Sequence, residues 1–590
     1  MSRADLVRVA LGHAPASMVL RGGRIVNTFT RELVAADVVV TGERIAAVGD
    51  ASDAALDDAT VVVDCTDRFI APGLVDPHVH VESSNLVLTE LARAIVPRGV
   101  LTLCEDPHEI ANVLGIAGIE LLVDEAVALP LNLFLRVPGR VPAMPPSVET
   151  SGHALDDDAI AALLARPDAV CLGGDINPSL LLQTDPAQLG RIEHAIALGR
   201  AVGGQLPGFT GPALDAGVAV GLEDTHVAES PEEVVEQLRR GLRVLLTPRI
   251  DRLPAEEWPA IAELVLRLGV DTRRLVLCTD DIHPNILAAE GHLDHRVRLA
   301  VQSGFDPVQA IQMATLNAAE LMRLDRDLGA VAPGRLADLA VLDDLASFAV
   351  STVVHHGRIV ARDGVLCDEL PPPAIPHSAR ATIHLAGPVE PDHLVLRADA
   401  HDGGEVEATI VEFGGPKTMR RMRLPVVGGV VQPDPDATVA RIAVLERHRA
   451  SGAVGRGFVG GLGIRGGAVA STINHDSHNI FVVGDSPSDM ALAANTLAEV
   501  GGGYCAVVDG QVRALLALPI AGLLTDRPLA EAAAALAEVE RVLVEELHCT
   551  IGYRPVYALN FLCLPNIPLV GVTDQGIVDT ETMAIVAPYE

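Results

Sequence analysis

Hydrophobic and polar positions change rhythm three times along the chain. Met18–Val26, Ala36–Val40 and Arg44–Val48 are short β-branched runs, broken by Gly22-Gly23 and by Thr41-Gly42-Glu43. That punctuation predicts strands and hairpins. The texture returns at Asp338–Leu342 and Thr352–Val360, where His356-Gly357 makes the turn. Two β-rich pieces around a long insertion predict one small β domain, built from residues 1–70 and 335–384, with the ends of the insertion close together.

Between them, residues 71–334 alternate short apolar runs with helical periodicity. Strands are predicted at Phe69–Val75, Val100–Cys104, Leu131–Val137, Ala169–Leu172, Ala201–Gly204, Ala219–Glu223, Arg243–Thr247 and Leu275–Thr279. The clearest intervening helices are Gly115–Val127, Asp157–Ala165, Glu232–Gly241 and Glu256–Leu268. About eight β/α alternations predict a (β/α)8 barrel, whose chemistry belongs at the C-terminal ends of its strands. A proline-rich joint, Pro371-Pro372-Pro373 and Pro376, precedes residues 385–590. Strands at Ala408–Glu412, Val426–Val431 and Ala506–Val508 and an Ala-rich helix at Leu529–Val544 predict a C-terminal α+β domain there. The expected fold class is therefore α/β: a barrel, a split small β domain and an additional C-terminal domain.

Composition narrows the function. The 590 residues carry 44 Lys+Arg against 78 Asp+Glu, a formal charge of −34. Such a surface repels phosphate backbones and anionic lipid, which argues against nucleic-acid or membrane partners. Aromatics are only 3% of a chain that is 49% hydrophobic, so the core must be mostly Ala, Val, Leu and Ile. Eight scattered cysteines without a C-x-x-C pair suit free thiols in a reducing compartment. With no apolar run of about 18 residues and no signal-like start at Met1–Ala10, a cytoplasmic protein is expected.

The strongest chemical signal is Ala71-Pro-Gly-Leu-Val-Asp-Pro-His78-Val-His80-Val-Glu82-Ser-Ser84. Side chains alternate along a strand, so His-x-His at a strand end puts two imidazoles on one side, ready to chelate a divalent cation. Further blocks follow: Asp106-Pro107-His108-Glu109 with Asn112, Cys278-Thr279-Asp280-Asp281, His475-Asp476-Ser477-His478-Asn479, Asp489 to Asn495 and Gly501-Gly-Gly503. On these blocks, spread over nearly the whole chain, the sequence resembles the amidohydrolase superfamily and, more narrowly, the adenine deaminase family.

That resemblance implies hydrolytic deamination of adenine to hypoxanthine and ammonia, with manganese or iron at the site. It implies His78, His80, His226 and Asp280 as metal ligands, and Asp280 also as the proton carrier. His108 and Glu109 would act as proton shuttle or substrate contacts, and Glu82, Ser83 and Asp106 would lie against the substrate. Two departures stand out. Gly174, in Cys171-Leu-Gly-Gly174-Asp175-Ile-Asn177, falls where the family has a metal-bridging Glu. Gln205 replaces a metal-binding His after the fifth strand, and an amide is a poor ligand beside imidazole. Asp175 is a candidate to take the bridging place as a shorter metal-binding carboxylate, though it is one position displaced and one methylene shorter than the bridging Glu. One tightly held metal with a doubtful second is therefore expected.

The His475–Asn479 block reads either as a polar cluster knitting domains together or as a cover for the barrel mouth, from its own chain or a partner's. The substrate is expected to be a small purine base and the protein a homo-oligomer. Two alternatives are a hydrolase of another small cyclic amide, amine or imine, and a catalytically silent purine-binding homologue.

Overall fold

The computed structural model describes residues 2–51, 56–173, 181–248, 254–413, 417–552, 554–565 and 569–590. Eight parallel strands form the barrel. Leu74–Val79, Val100–Glu105, Asn132–Val137, Ala169–Leu172 and Ala201–Val202 pair in chain order, as do Asp224–Thr225, Arg243–Leu246 and Leu275–Leu277. Two seams join these sheets. The Glu223 amide donates to the Val202 carbonyl at 2.8 Å, and the Asp280 amide donates to the His78 carbonyl at 3.0 Å, beside a parallel bridge from Val79 to Asp280. The closing seam thus runs through the His-x-His segment itself.

Two expected strands fall differently. The run Phe69–Val75 divides at Gly73: Phe69–Pro72 pairs antiparallel with Leu339–Asp344 in the small β domain, and the first barrel strand begins at Leu74. A Cβ on Gly73 would come 2.7 Å from Leu101 Cδ1, so the crossing needs glycine for close approach. The sixth strand is Asp224–Thr225, not Ala219–Glu223, because helix Gly211–Ala219 runs into the start of that stretch and a turn at Val220-Gly221 follows it. Its Pro212 suits the first helical turn, Leu214 and Gly217 turn inward, and Gly221 at φ 111° redirects the chain.

Strands from both sides of the barrel share one sheet. A seven-stranded sheet places Arg24–Asn27 beside Phe69–Pro72, then Leu339–Asp344, Ala349–His355 and Arg358–Arg362. The run Met18–Val26 is two strands, since Met18–Arg21 lies in a separate four-stranded sheet with Asp37–Thr41, Arg44–Gly49 and Val61–Asp64.

The C-terminal part is built on a nine-stranded sheet spanning residues 405–517. Period-two alternation gives it two apolar faces. Ala443, Ala470, Val482 and Cys505 pack against Met490, Ala494 and Leu497 of helix Pro487–Val500. On the other face Ile442, Phe481 and Tyr504 share a cluster with Leu536, Val539 and Leu543 of helix Leu529–Glu545. That cluster continues into the barrel through Leu86, Leu88, Leu91, Ile286 and Leu287, so the second helix is buried between sheet and barrel. Among the described residues, no helix is long and apolar enough to cross a membrane.

Candidate metal centre and active site

The first barrel strand ends in His78-Val79 and passes into His80, while the eighth leads into Asp280, and the closing seam holds these two strand ends together. His78 Nε2 and His80 Nε2 each stand 3.4 Å from Asp280 Oδ1, and all three side chains are buried. Two ligands on a tetrahedral metal with bonds of 2.0–2.1 Å are about 3.3 Å apart, so the three atoms have the separation that metal ligands keep. Their chemistry agrees. His80 Nδ1 lies 2.8 Å from the Asp106 carbonyl, an acceptor only, so Nδ1 carries the hydrogen and Nε2 is the atom that faces Asp280. That carboxylate lifts His80 to about 10 against burial, so a cation binding here would displace the Nε2 proton. Neither ring nitrogen of His78 has a hydrogen-bond partner among the described residues. Burial, with His226 adding to it, keeps His78 well below the ordinary histidine range, which is the neutral form a metal needs. His226, after the sixth strand, brings its ring centroid 4.4 Å from that of His78.

The second strand delivers Asp106, His108 and Glu109. Helix His108–Leu114 opens directly after the strand, so His108 and Glu109 occupy its first turn at the barrel rim. The His108 ring stacks edge-on to His80 at 4.8 Å, and its Nδ1 lies 3.5 Å from Asp106 Oδ1. Beneath them, Glu82 accepts the Ile110 amide at 2.9 Å, and Glu105 accepts the Val81 amide at 2.9 Å. Burial raises both carboxyls, Glu105 well above its usual range with Glu82 adding to it. Ser83 donates to Asp281, which neighbours Asp280.

The His475–Asn479 block lies against this rim in the same chain. Asn479 donates to the Thr150 carbonyl of the barrel at 2.8 Å, tying the domains together. His475 Nδ1 meets Glu109 Oε1 at 2.6 Å, His478 Nε2 stands 3.3 Å from Glu109 Oε2, and Asp476 Oδ1 lies 3.7 Å from His108 Nε2.

Gln205 sits three residues beyond the fifth strand, half-buried on the same side. Gly174 and Asp175 lie outside the described residues. A feature the sequence reading missed occupies the barrel interior below. Arg136, on the third strand, pairs with Asp224 of the sixth at 3.1 Å and donates to the Pro77 carbonyl at 3.0 Å, both side chains being 0% exposed. Its signal was a charge inside the apolar run Leu133-Phe-Leu-Arg136-Val137.

Comparison with known proteins agrees with this geometry. The amidohydrolase family model matches residues 69–179 and 186–360, and the adenine deaminase C-terminal domain model matches residues 417–584. An adenine deaminase of Moorella thermoacetica is 42% identical over 586 residues, covering 98% of this chain and 96% of that protein. "Adenine deaminase 3" of Rhizobium meliloti is 40% identical over 582 residues, covering 97% and 96%. Among solved structures, dihydropyrimidinase from Brevibacillus agri is similar with a TM-score of 0.45 and 14% identity, over 60% of this chain and 96% of that one. With relatives at such identity over nearly its whole length, the chain belongs to the adenine deaminase family.

Proposed function

We propose that this chain hydrolyses adenine to hypoxanthine and ammonia, in purine salvage or catabolism. The observation that carries the reading is the buried His78–His80–Asp280 triad at metal-ligand separation, in a chain 42% identical to a protein named adenine deaminase. His78, His80 and Asp280 would hold one divalent transition metal, Mn2+ or Fe2+, with His226 as a fourth ligand. Bound there, the cation supplies a water acidic enough to give hydroxide near neutral pH.

The chain's own residues do the rest. Asp280 takes the proton released as the base is attacked and returns it to the departing amine. His108 and Glu109 line the opposite side of the reaction space as proton-handling and base-contacting groups. Glu82, Ser83 and Asp106 shape the floor on which the base lies. With Gln205 in place of a ligand histidine, one tight metal is expected. A small neutral base suits a protein whose charge of −34 repels polyanions. A cytoplasmic setting suits its eight free cysteines.

Loss of adenine absorbance on incubation with Mn2+-supplemented protein, with ammonia measured alongside, tests the reaction. Equal amounts of hypoxanthine and ammonia are expected, and His78→Ala should abolish them. A metal-loaded protein inert towards adenine would overturn the substrate assignment. Metal analysis of protein purified without added metal should give one equivalent per chain, and two tight equivalents would refute the single-metal site.

A further inference from the structure

Two clusters on the rim have the composition of metal sites, and their spacing separates them. In His78–His80–Asp280 the facing atoms stand 3.4 Å apart, a ligand-to-ligand distance. In Glu109–His475–His478 the shortest pair is 2.6 Å, too close for two ligands across one cation and suited to a direct charge-assisted hydrogen bond. We infer that His475 of the C-terminal domain is a positioning residue for the deamination site: it clamps the Glu109 carboxylate in the orientation the reaction uses, so that the barrel's active site is complete only when the C-terminal domain is docked. The inference rests on the proposed function for what Glu109 does, though not for how it is held.

The clamp is built from several sides. His475 Nδ1 meets one oxygen of Glu109, while the Phe561 ring stacks on the imidazole at 4.6 Å with planes 14° apart. An aromatic face favours a cation, so the ring sits where an imidazolium is supported on its edge and on its face. The second oxygen of Glu109 faces His478. The Asn474 amide donates to His478 Nδ1 at 3.4 Å, which fixes the tautomer and leaves Nε2–H pointing at the carboxylate 3.3 Å away. The loop carrying these groups is itself anchored. Asn479 reaches Thr150, Ser477 accepts from His448 at 2.8 Å, and the His475 amide donates to the Asn560 carbonyl at 3.3 Å.

Electrostatics point the same way. Burial alone would neutralise Glu109, but His475 and His478 outweigh it and hold the carboxyl well below its usual range. Burial likewise opposes charge on His475, and Glu109 outweighs it, lifting His475 to about 9. From the clamp the chain of groups runs to the metal triad: His108 Nε2 is 3.9 Å from Glu109 Oε1, and the His108 ring packs on His80. Glu109 is therefore held ionised one residue away from the metal ligands.

The test uses the full-length, metal-loaded protein. His475→Ala should lower kcat for adenine about 100-fold, with KM and bound metal nearly unchanged. His475→Asn places an amide NH2 where Nδ1 stood and should recover most of the loss. Glu109→Gln combined with His475→Ala should be no slower than Glu109→Gln alone, because two residues acting as one unit do not multiply their losses. A kcat for His475→Ala within threefold of the parent, or losses that multiply, would overturn the inference. If His475→Ala does not fold, the NMR comparison of the parent with Glu109→Gln decides the inference. An arm independent of turnover is 15N NMR of histidine-labelled protein, with His475→Asn identifying the signal. The His475 ring should be protonated at pH 8 in the parent and neutral in Glu109→Gln, and a ring unaffected by that change refutes the clamp. A parent protein inert towards adenine counts against the proposed reaction, and the NMR arm still decides the clamp.

Discussion

Asp280 adopts φ 56°, the left-handed region that Asp and Asn tolerate and most side chains do not. That geometry lets a substitution separate charge from backbone. Asp280→Asn keeps the loop and removes the carboxylate, so metal content should fall well below one equivalent and adenine turnover should drop at least about 1,000-fold, with the unfolding midpoint little changed. Arg136 makes a contrasting case, because its pair with Asp224 lies wholly inside the barrel. Arg136→Met leaves Asp224 as an uncompensated buried carboxylate and should cost about 3–5 kcal/mol, read from urea unfolding. At this scale the sequence was legible where chemistry is local. His78 and His80 are two residues apart on one strand, and their role follows from that spacing. Arg136 and Asp224 are 88 residues apart, so a sequence read along its length shows a lone charge in an apolar run and no partner. The bond from Glu109 to His475 was hidden for the same reason.

Elements put these residues in register, and their short lengths explain what was misread. A strand of two residues, Asp224–Thr225, is too short to display period-two alternation, whereas the apolar stretch Ala219–Leu222 before it is long enough to imitate a strand but is the end of a helix and the turn after it. The six-residue second and third strands were readable because each is mostly apolar, whereas the first, Leu74–Val79, carries Asp76, Pro77 and His78 and shows only its start as an apolar run. His226 lies near its expected place all the same, because it sits at the strand end whichever way the run before it is divided. The rim also depends on a glycine at the end of the fourth strand. A Cβ on Gly173 would come 2.5 Å from Asp106 Oδ2 and 2.9 Å from the Val137 carbonyl. The carbonyl belongs to a barrel strand and cannot yield, so Gly173→Ala should push Asp106 out of its contact with His108. A stability loss of about 1–3 kcal/mol is expected, together with slower turnover at unchanged metal content. Denaturant unfolding and metal analysis on one preparation separate the two effects.

For the whole molecule, barrel and C-terminal sheet share one buried cluster, and titrating groups inside it make stability depend on pH from both sides. His283 and His292 are buried, and burial lowers each from 6.5 to about 3. Between pH 6.5 and 3 the unfolded chain binds protons that the folded chain refuses, so stability falls as pH falls through that window. His475 has the opposite sign. Glu109 lifts it to about 9 against the pull of burial, so its contribution is complete below pH 6.5 and is lost as pH rises towards 9. Each unit of difference between the folded and unfolded values is worth about 1.4 kcal/mol per group. The melting temperature should therefore peak near neutrality and decline on both sides, with the two limbs belonging to different variants. His292→Phe removes a buried imidazole whose two nitrogens have no hydrogen-bond partner among the described residues, and should make the acid limb shallower, the rest staying with His283, while leaving the alkaline limb unchanged. His475→Asn keeps the contact with Glu109 without a titrating ring and should make the alkaline limb shallower while leaving the acid limb unchanged; His80, raised to about 10, and Glu149, raised to about 8, keep the remainder. Scanning calorimetry of the parent and both variants from pH 4 to 9 makes the comparison. An alkaline limb of unchanged steepness in His475→Asn would mean that the tie between the barrel and the C-terminal domain does not contribute to stability above neutrality.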